Sequence, residues 1–178
     1  MTMERAVSSP HDRIRRQQLL MQAEGYLELG MADHALAVLA RCGDPQLLPD
    51  HGLYLMGQSL RELGRFREAL DPLWQSAQRN PDNISVWLAL GWCYKRTGKL
   101  DRAIESLEEA LNVEPNDPLV HYNLACYWSL AQNKRQALNY LAKAFKLEEE
   151  YRRLVAEESD FDPLRKDPAF QALVRVTV

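Results

Sequence analysis

At 178 residues the chain has the length of one or two domains, and with 46% hydrophobic and 26% charged residues it has the composition of a folded chain and not of a disordered one. Its 22 Lys and Arg against 25 Asp and Glu leave a net charge of −3, which gives no electrostatic footprint for nucleic acid. No segment approaches the roughly 18 consecutive apolar residues of a membrane span, so membrane insertion is not expected. Met1–Arg16 carries no apolar run of signal-peptide length. Cys42, Cys93 and Cys126 are an odd count without C-x-x-C spacing. They read as reduced, buried thiols, and a cytoplasmic location is the expectation.

Residues 1–9 are expected to be a flexible N-terminus. Ser9-Pro10-His11-Asp12 has the form of a helix start, with Ser9 as cap, Pro10 in the first helical position and Asp12 at the positive helix end. That helix is predicted to run to about Leu29. Gly30 ends it, and Ala32–Ala40 forms an antiparallel partner. Gly43 to Pro49 is a linker. A helix pair follows from Asp50 to Asn83, turning at Gly64-Arg65-Phe66 and stopping at Pro81, after which Asp82 or Asn83 can cap the next helix.

Ile84 to Asp117 repeats that pair most fully. Gly91, Ala103 and Ala110 are small where two helices must touch, and Trp87, Leu90, Tyr94 and Leu107 are large around them. Steps of 34 residues turn Gly91 into Gly57 and Ala125, Ala103 into Ala69 and Ala137, and Leu107 into Leu73 and Leu141. Pro115 becomes Pro81. The same register gives Ala23, Tyr26, Gly30, Ala35 and Leu39 in a first, weaker repeat. The fourth, Pro118 to Tyr151, lacks the exit proline, because Glu149 stands there. Its last helix is therefore expected to run on through Glu148–Glu150. Residues 152–178 read as a C-terminal helical cap with polar outer faces. Asp162-Pro163 and Asp167-Pro168 each look like a cap-plus-proline helix start.

This 34-residue period with its small and large positions resembles the tetratricopeptide repeat. The resemblance implies an all-α, right-handed superhelical solenoid of about four helix pairs, near 16–49, 50–83, 84–117 and 118–151, plus short C-terminal helices. The tail Asp160–Phe170 resembles one that often ends bacterial arrays of this family.

In the family the first helix of each repeat lines a concave groove. Carried over by position, the resemblance places Gln17, Leu20, Glu24, Leu27 and Glu28 there in the first repeat. It adds His51, Tyr54, Gln58, Arg61 and Glu62 in the second and Ser85, Leu88, Trp92, Lys95 and Arg96 in the third. The fourth gives Leu119, Tyr122, Cys126, Ser129 and Leu130. Helical spacing puts Leu88, Trp92 and Lys95 on one face, away from Leu90, Gly91 and Tyr94. Aromatic side chains beside Arg and Lys are the composition of interface anchors. The expected groove has an apolar floor of Leu88, Trp92, Leu119 and Tyr122 and a basic wall of Arg61, Lys95 and Arg96. It suits a peptide with apolar side chains and some acidic character. The alternative is that one of the chain's own terminal segments covers Trp92.

The family's two-carboxylate clamp finds Leu20 and Glu24, or Tyr54 and Gln58, where it needs Lys and Asn, so that clamp is rejected. His11, His34, His51 and His121 are scattered, and no metal site is expected. His121 reads as a structural histidine. No nucleophile elbow, phosphate loop or Cys/His signature is present, and neither a cofactor nor an enzymatic activity is expected. The implied function is a non-enzymatic adaptor or scaffold for a protein or peptide partner. The alternatives are a self-assembling structural protein and a bacterial secretion-type chaperone for an unstable partner.

Overall fold

A computed structural model describes residues 9–175, leaving aside the side chains of Pro10 and Gln46. The expected flexible N-terminus lies, apart from Ser9, outside the described residues. Among those described every regular element is helical: α1 (Pro10–Glu28), α2 (Ala32–Ala40), a 3-10 turn (Pro45–Leu47), α3 (Asp50–Glu62), α4 (Phe66–Arg79), α5 (Ile84–Arg96), α6 (Leu100–Val113), α7 (Pro118–Leu130) and α8 (Lys134–Leu147). Two short helices, α9 (Tyr151–Leu154) and α10 (Pro168–Val174), flank a second 3-10 segment at Ser159–Leu164. The chain divides into two compact units at Asn80/Pro81.

In each unit the helices pair in chain order, α1 with α2 and α3 with α4 in the first, α5 with α6 and α7 with α8 in the second. The second helix of every pair buries the same two side chains completely: Ala35 and Leu39, Ala69 and Leu73, Ala103 and Leu107, Ala137 and Leu141. Their partners on the first helices are small. A Cβ on Gly57 would lie 2.4 Å from Leu73 Cγ, and one on Gly91 would lie 3.1 Å from Leu107 Cδ2. Absence of a side chain at these two sites sets how closely the helices approach.

The helix ends follow from local chemistry. Ser9 and Asp12 form a reciprocal capping box, and Asn83 and Asp117 cap α5 and α7. The turns inside the first three pairs use Gly30, Gly64 and Gly98 at φ of +70°, +73° and +76°. The fourth puts Gln132 there at φ +58°. A side chain is strained in that conformation, where glycine is not.

Two expectations need correction. Helix α8 does not run on through Glu148–Glu150, since Glu148 is extended (φ −149°, ψ 108°). Three consecutive carboxylates at the negative end of a helix repel it and one another. Asp162-Pro163 does not start a helix either. Pro163 lies inside the 3-10 segment capped by Glu158, and Asp162 accepts from Arg165 Nε at 2.7 Å. Asp167 does cap α10, accepting from the amides of Ala169 and Phe170.

Packing and turn geometry can both be tested by stability. Gly57→Ala forces a methyl into the immobile Leu73 and is expected to cost about 1–2 kcal/mol, the overpacking penalty less the helix-propensity gain. Gly91→Ala needs its neighbour to give by only a few tenths of an ångström, and is expected to stay within about 1 kcal/mol of wild type in urea titrations. Gln132→Gly is expected to raise the urea midpoint, by roughly 0.5–1 kcal/mol of stability, because it relieves the left-handed residue.

Candidate functional site

Within the first unit, the groove positions of α3 are partly engaged with one another. Gln58 Nε2 donates to Tyr54 Oη, while Gln58 Oε1 and Arg61 Nε are buried without a hydrogen-bond partner among the described residues. His51 Nε2 and Glu24 Oε2, both groove positions, stand 3.6 Å apart. A hollow of about 430 Å³ opens in the same unit between α1, the 3-10 turn and the end of α4. Arg13, Arg16 and Arg79 reach it over a floor of Leu20 and Leu48. Arg16 Nη1 donates to the Leu47 carbonyl at 3.4 Å, and Arg79 donates to the Leu48 carbonyl. No described residue lining it carries a carboxylate. Sequence reading missed this cluster. Arg13 and Arg16 share a face of α1 at i, i+3, but nothing in the repeat register links them to Arg79.

Within the second unit, α5 carries Leu88 half-buried, Trp92 40% exposed, Lys95 and an exposed Arg96. Lys95 Nζ sits 5.3 Å from the Trp92 ring centroid and 5.5 Å from that of Tyr127, a cation–π position over both. The same ammonium pairs with the carboxylate of Asp160, 65 residues away, and both side chains are mostly shielded from water. On α7, Leu119 is 41% exposed, but Tyr122 and Cys126 are buried. The cover is the chain's own 3-10 segment, which packs on α7. Phe161 is fully buried, its ring 5.8 Å from that of Tyr122 in an edge contact and 5.5 Å from that of Phe170. Tyr151 lies against Tyr122 at 5.0 Å. Leu88, Trp92 and Leu119 thus remain accessible, while Tyr122, Cys126 and the charge of Lys95 are engaged by the tail.

Burial pushes the Cys126 thiol and the Tyr122 and Tyr127 phenols well above their ordinary values, the nearby carboxylates of Asp160 and Glu158 adding to the shift. The donor atoms of Cys126, Glu158 and Asp160 lie within 4.8 Å of one another, the spacing of a metal-ligand set. Its chemistry does not suit a cation. The Lys95 ammonium already pairs with the Asp160 carboxylate there, so a cation would have to displace it. His121 Nε2 is 2.9 Å from the Pro115 carbonyl, and the ring lies 5.8 Å from that of Tyr140. Trp87, 34 residues earlier, makes the same bond to Pro81 at 2.7 Å. His121 therefore occupies the tryptophan's structural position.

The profile of the tetratricopeptide repeat matches residues 60–125. That stretch carries tetratricopeptide repeats. Anaphase-promoting complex subunit 3 of Dictyostelium discoideum is 34% identical over 53 residues, 30% of this chain. The chain spans only 6% of that protein's length in the match. Among solved structures, MamA superposes with a TM-score of 0.70 at 21% identity, covering 78% of this chain and 81% of its own. YrrB, described as a TPR protein with an unusual peptide-binding site, gives 0.70 at 20% identity over 80% of this chain and 74% of its own. TTC0263, a thermophilic TPR protein of Thermus thermophilus, gives 0.64 at 21% identity over 89% and 94%. These likenesses place the fold in the all-α, right-handed superhelical class of TPR solenoids.

The burial of the thiols has a direct readout. Cys93 and Cys126 are expected to resist a thiol-specific reagent at pH 8 in the native chain, and all three cysteines to react in denaturant. Half-buried Cys42, itself pushed up by partial burial, is expected to be the one that reacts slowly in the folded state. Rapid native titration of three thiols would contradict the packing of α5 and α7.

Proposed function

We propose that the chain is a non-enzymatic protein-interaction module that holds a segment of a partner protein on the faces of its first helices. The carrying observation is Trp92, a large aromatic 40% exposed on a face of α5 that the helix pairing does not use. The Lys95 ammonium lies beside its ring but is paired with Asp160, so the accessible anchor is the aromatic ring itself. Half-buried Leu88 and exposed Leu119 supply apolar surface in the same unit. Peptide binding by YrrB, a protein of like fold, agrees with this use of the scaffold. A net charge of −3 favours protein over nucleic acid as the partner. No described helix is long and apolar enough to cross a membrane. Three free cysteines suit a reducing compartment, and this favours a cytoplasmic location. We assign the chain no catalytic step.

The test uses wild type and Trp92→Ala, the latter first shown to have an unchanged helical circular dichroism spectrum. Proteins captured from source-cell lysate by wild type are identified and remeasured individually. Truncating a central aromatic anchor is expected to cost about 2 kcal/mol, roughly 30-fold in affinity. Equal affinity of the two chains for every captured protein would remove Trp92, and with it the α5 face, from the binding surface.

A further inference from the structure

In the second unit, the tail brings one charge and one ring, from consecutive residues, onto a surface that offers a matching ammonium and a matching ring. The Glu158 carboxylate accepts from the Asp160 amide at 3.0 Å, fixing the start of the 3-10 segment. Asp160 then meets Lys95 of α5, and Phe161 meets Tyr122 of α7. Arg165 holds the segment in this shape from behind, donating to the carbonyls of Glu158 at 2.9 Å and Val155 at 3.3 Å and to the Asp162 carboxylate at 2.7 Å.

We infer that the α5–α7 surface is a recognition site for an acid–aromatic segment, an Asp directly followed by Phe, whose resident occupant is the chain's own Asp160-Phe161 and whose exchange partner is another protein carrying the same pair. The inference rests on the reading of the first-helix face as a partner site. Three observations support it. Charge and ring are complementary on both sides of the contact. The Tyr122 hydroxyl is buried with no hydrogen-bond partner among the described residues, so the resident leaves a polar group that a partner's backbone can satisfy. The resident is a six-residue 3-10 segment, an element with poorer hydrogen-bond geometry than the paired helices, and such elements open below the global unfolding free energy. Because it is tethered, it acts at high effective concentration and hides the site from weak ligands.

The test is binding of a fluorescein-labelled peptide, EESDFDPL, to the full-length chain by anisotropy. Wild type, closed in cis, is expected to bind it weakly. Phe161→Ala, which loosens the resident, is expected to bind about tenfold tighter, since apparent affinity scales with the open fraction. Adding Lys95→Ala should remove the gain, and a peptide with Lys and Ala in place of its Asp-Phe pair should bind neither chain. If Phe161→Ala loses helical structure, Asp160→Asn replaces it. That chain should show a smaller gain and faster hydrogen exchange of amides 159–164 than of α7. A folded, loosened chain that binds both peptides alike, or neither, overturns the inference. So does wild type forming dimers by exchanged tails, which would make a second copy the occupant. Loss of peptide binding with Trp92-dependent capture intact sinks this inference alone. Peptide binding retained with Trp92-independent capture sinks the reading of Trp92 instead.

Discussion

Contact between a residue with little or no side chain on a first helix and a leucine on its partner sets the rest of the structure. At Gly57 there is no room for even a methyl group against Leu73, and at Gly91 there is almost none against Leu107. Ala23 and Ala125 take the same place in the first and fourth pairs and are themselves fully buried. Close approach on this face commits one side of each first helix to its partner. The opposite side is left without an intra-repeat role, so what stands there is not dictated by the fold. Trp92 is in that position: large, half-exposed and unneeded for pairing.

The repeats are closed at their ends by a second recurring device. A ring nitrogen bonds the carbonyl of the exit proline six residues earlier, Trp87 to Pro81 and His121 to Pro115. For His121 the bond makes Nε2 the protonated nitrogen and leaves Nδ1 buried without a partner among the described residues. The bond therefore fixes the tautomer of a residue that could otherwise be taken for a ligand. Glu149 stands where the next proline would be, and the chain abandons the pattern there. The three carboxylates break α8, and Tyr151 turns back onto Tyr122. That break lets the tail reach the first-helix face.

Periodicity and capping chemistry made much of this legible in the sequence. Ala35, Ala69, Ala103 and Ala137 with their leucines are one pattern stated four times, and Ser9, Asn83 and Asp167 are caps by residue type. Contacts that obey no period were not legible. Lys95 and Asp160 are 65 residues apart, on elements of different kinds, and nothing local predicts their pairing. Tyr122 looks the same in sequence whether it faces a partner or Phe161. The Asp162-Pro163 pair has the composition of a helix start, but Arg165 claims the carboxylate first. The arginine hollow of the first unit is hidden for the same reason, since it gathers α1 and α4 through carbonyls of the linker.

The pairing of Lys95 changes what the face can recognise. An ammonium in the open attracts acidic ligands, and that attraction weakens with salt. Paired with Asp160 under the tail, it is neutralised, and what remains accessible on this face is Trp92, Leu88 and Leu119. A ligand that reads only those side chains gains by apolar burial, and its affinity depends little on ionic strength. One that enters with the tail displaced meets the ammonium, Tyr122 and Cys126, and must replace the carboxylate it removes or leave Lys95 partly buried and unpaired. The penalty for such a charge is larger than the reward for an exposed pair, so the tail acts as a filter as well as a cover. It rejects ligands without an acid at that point more strongly than it rewards those that have one. Selectivity of this kind comes from a mismatch penalty held in place by the protein's own residues, and it needs no groove deeper than two helices and a short turn can make.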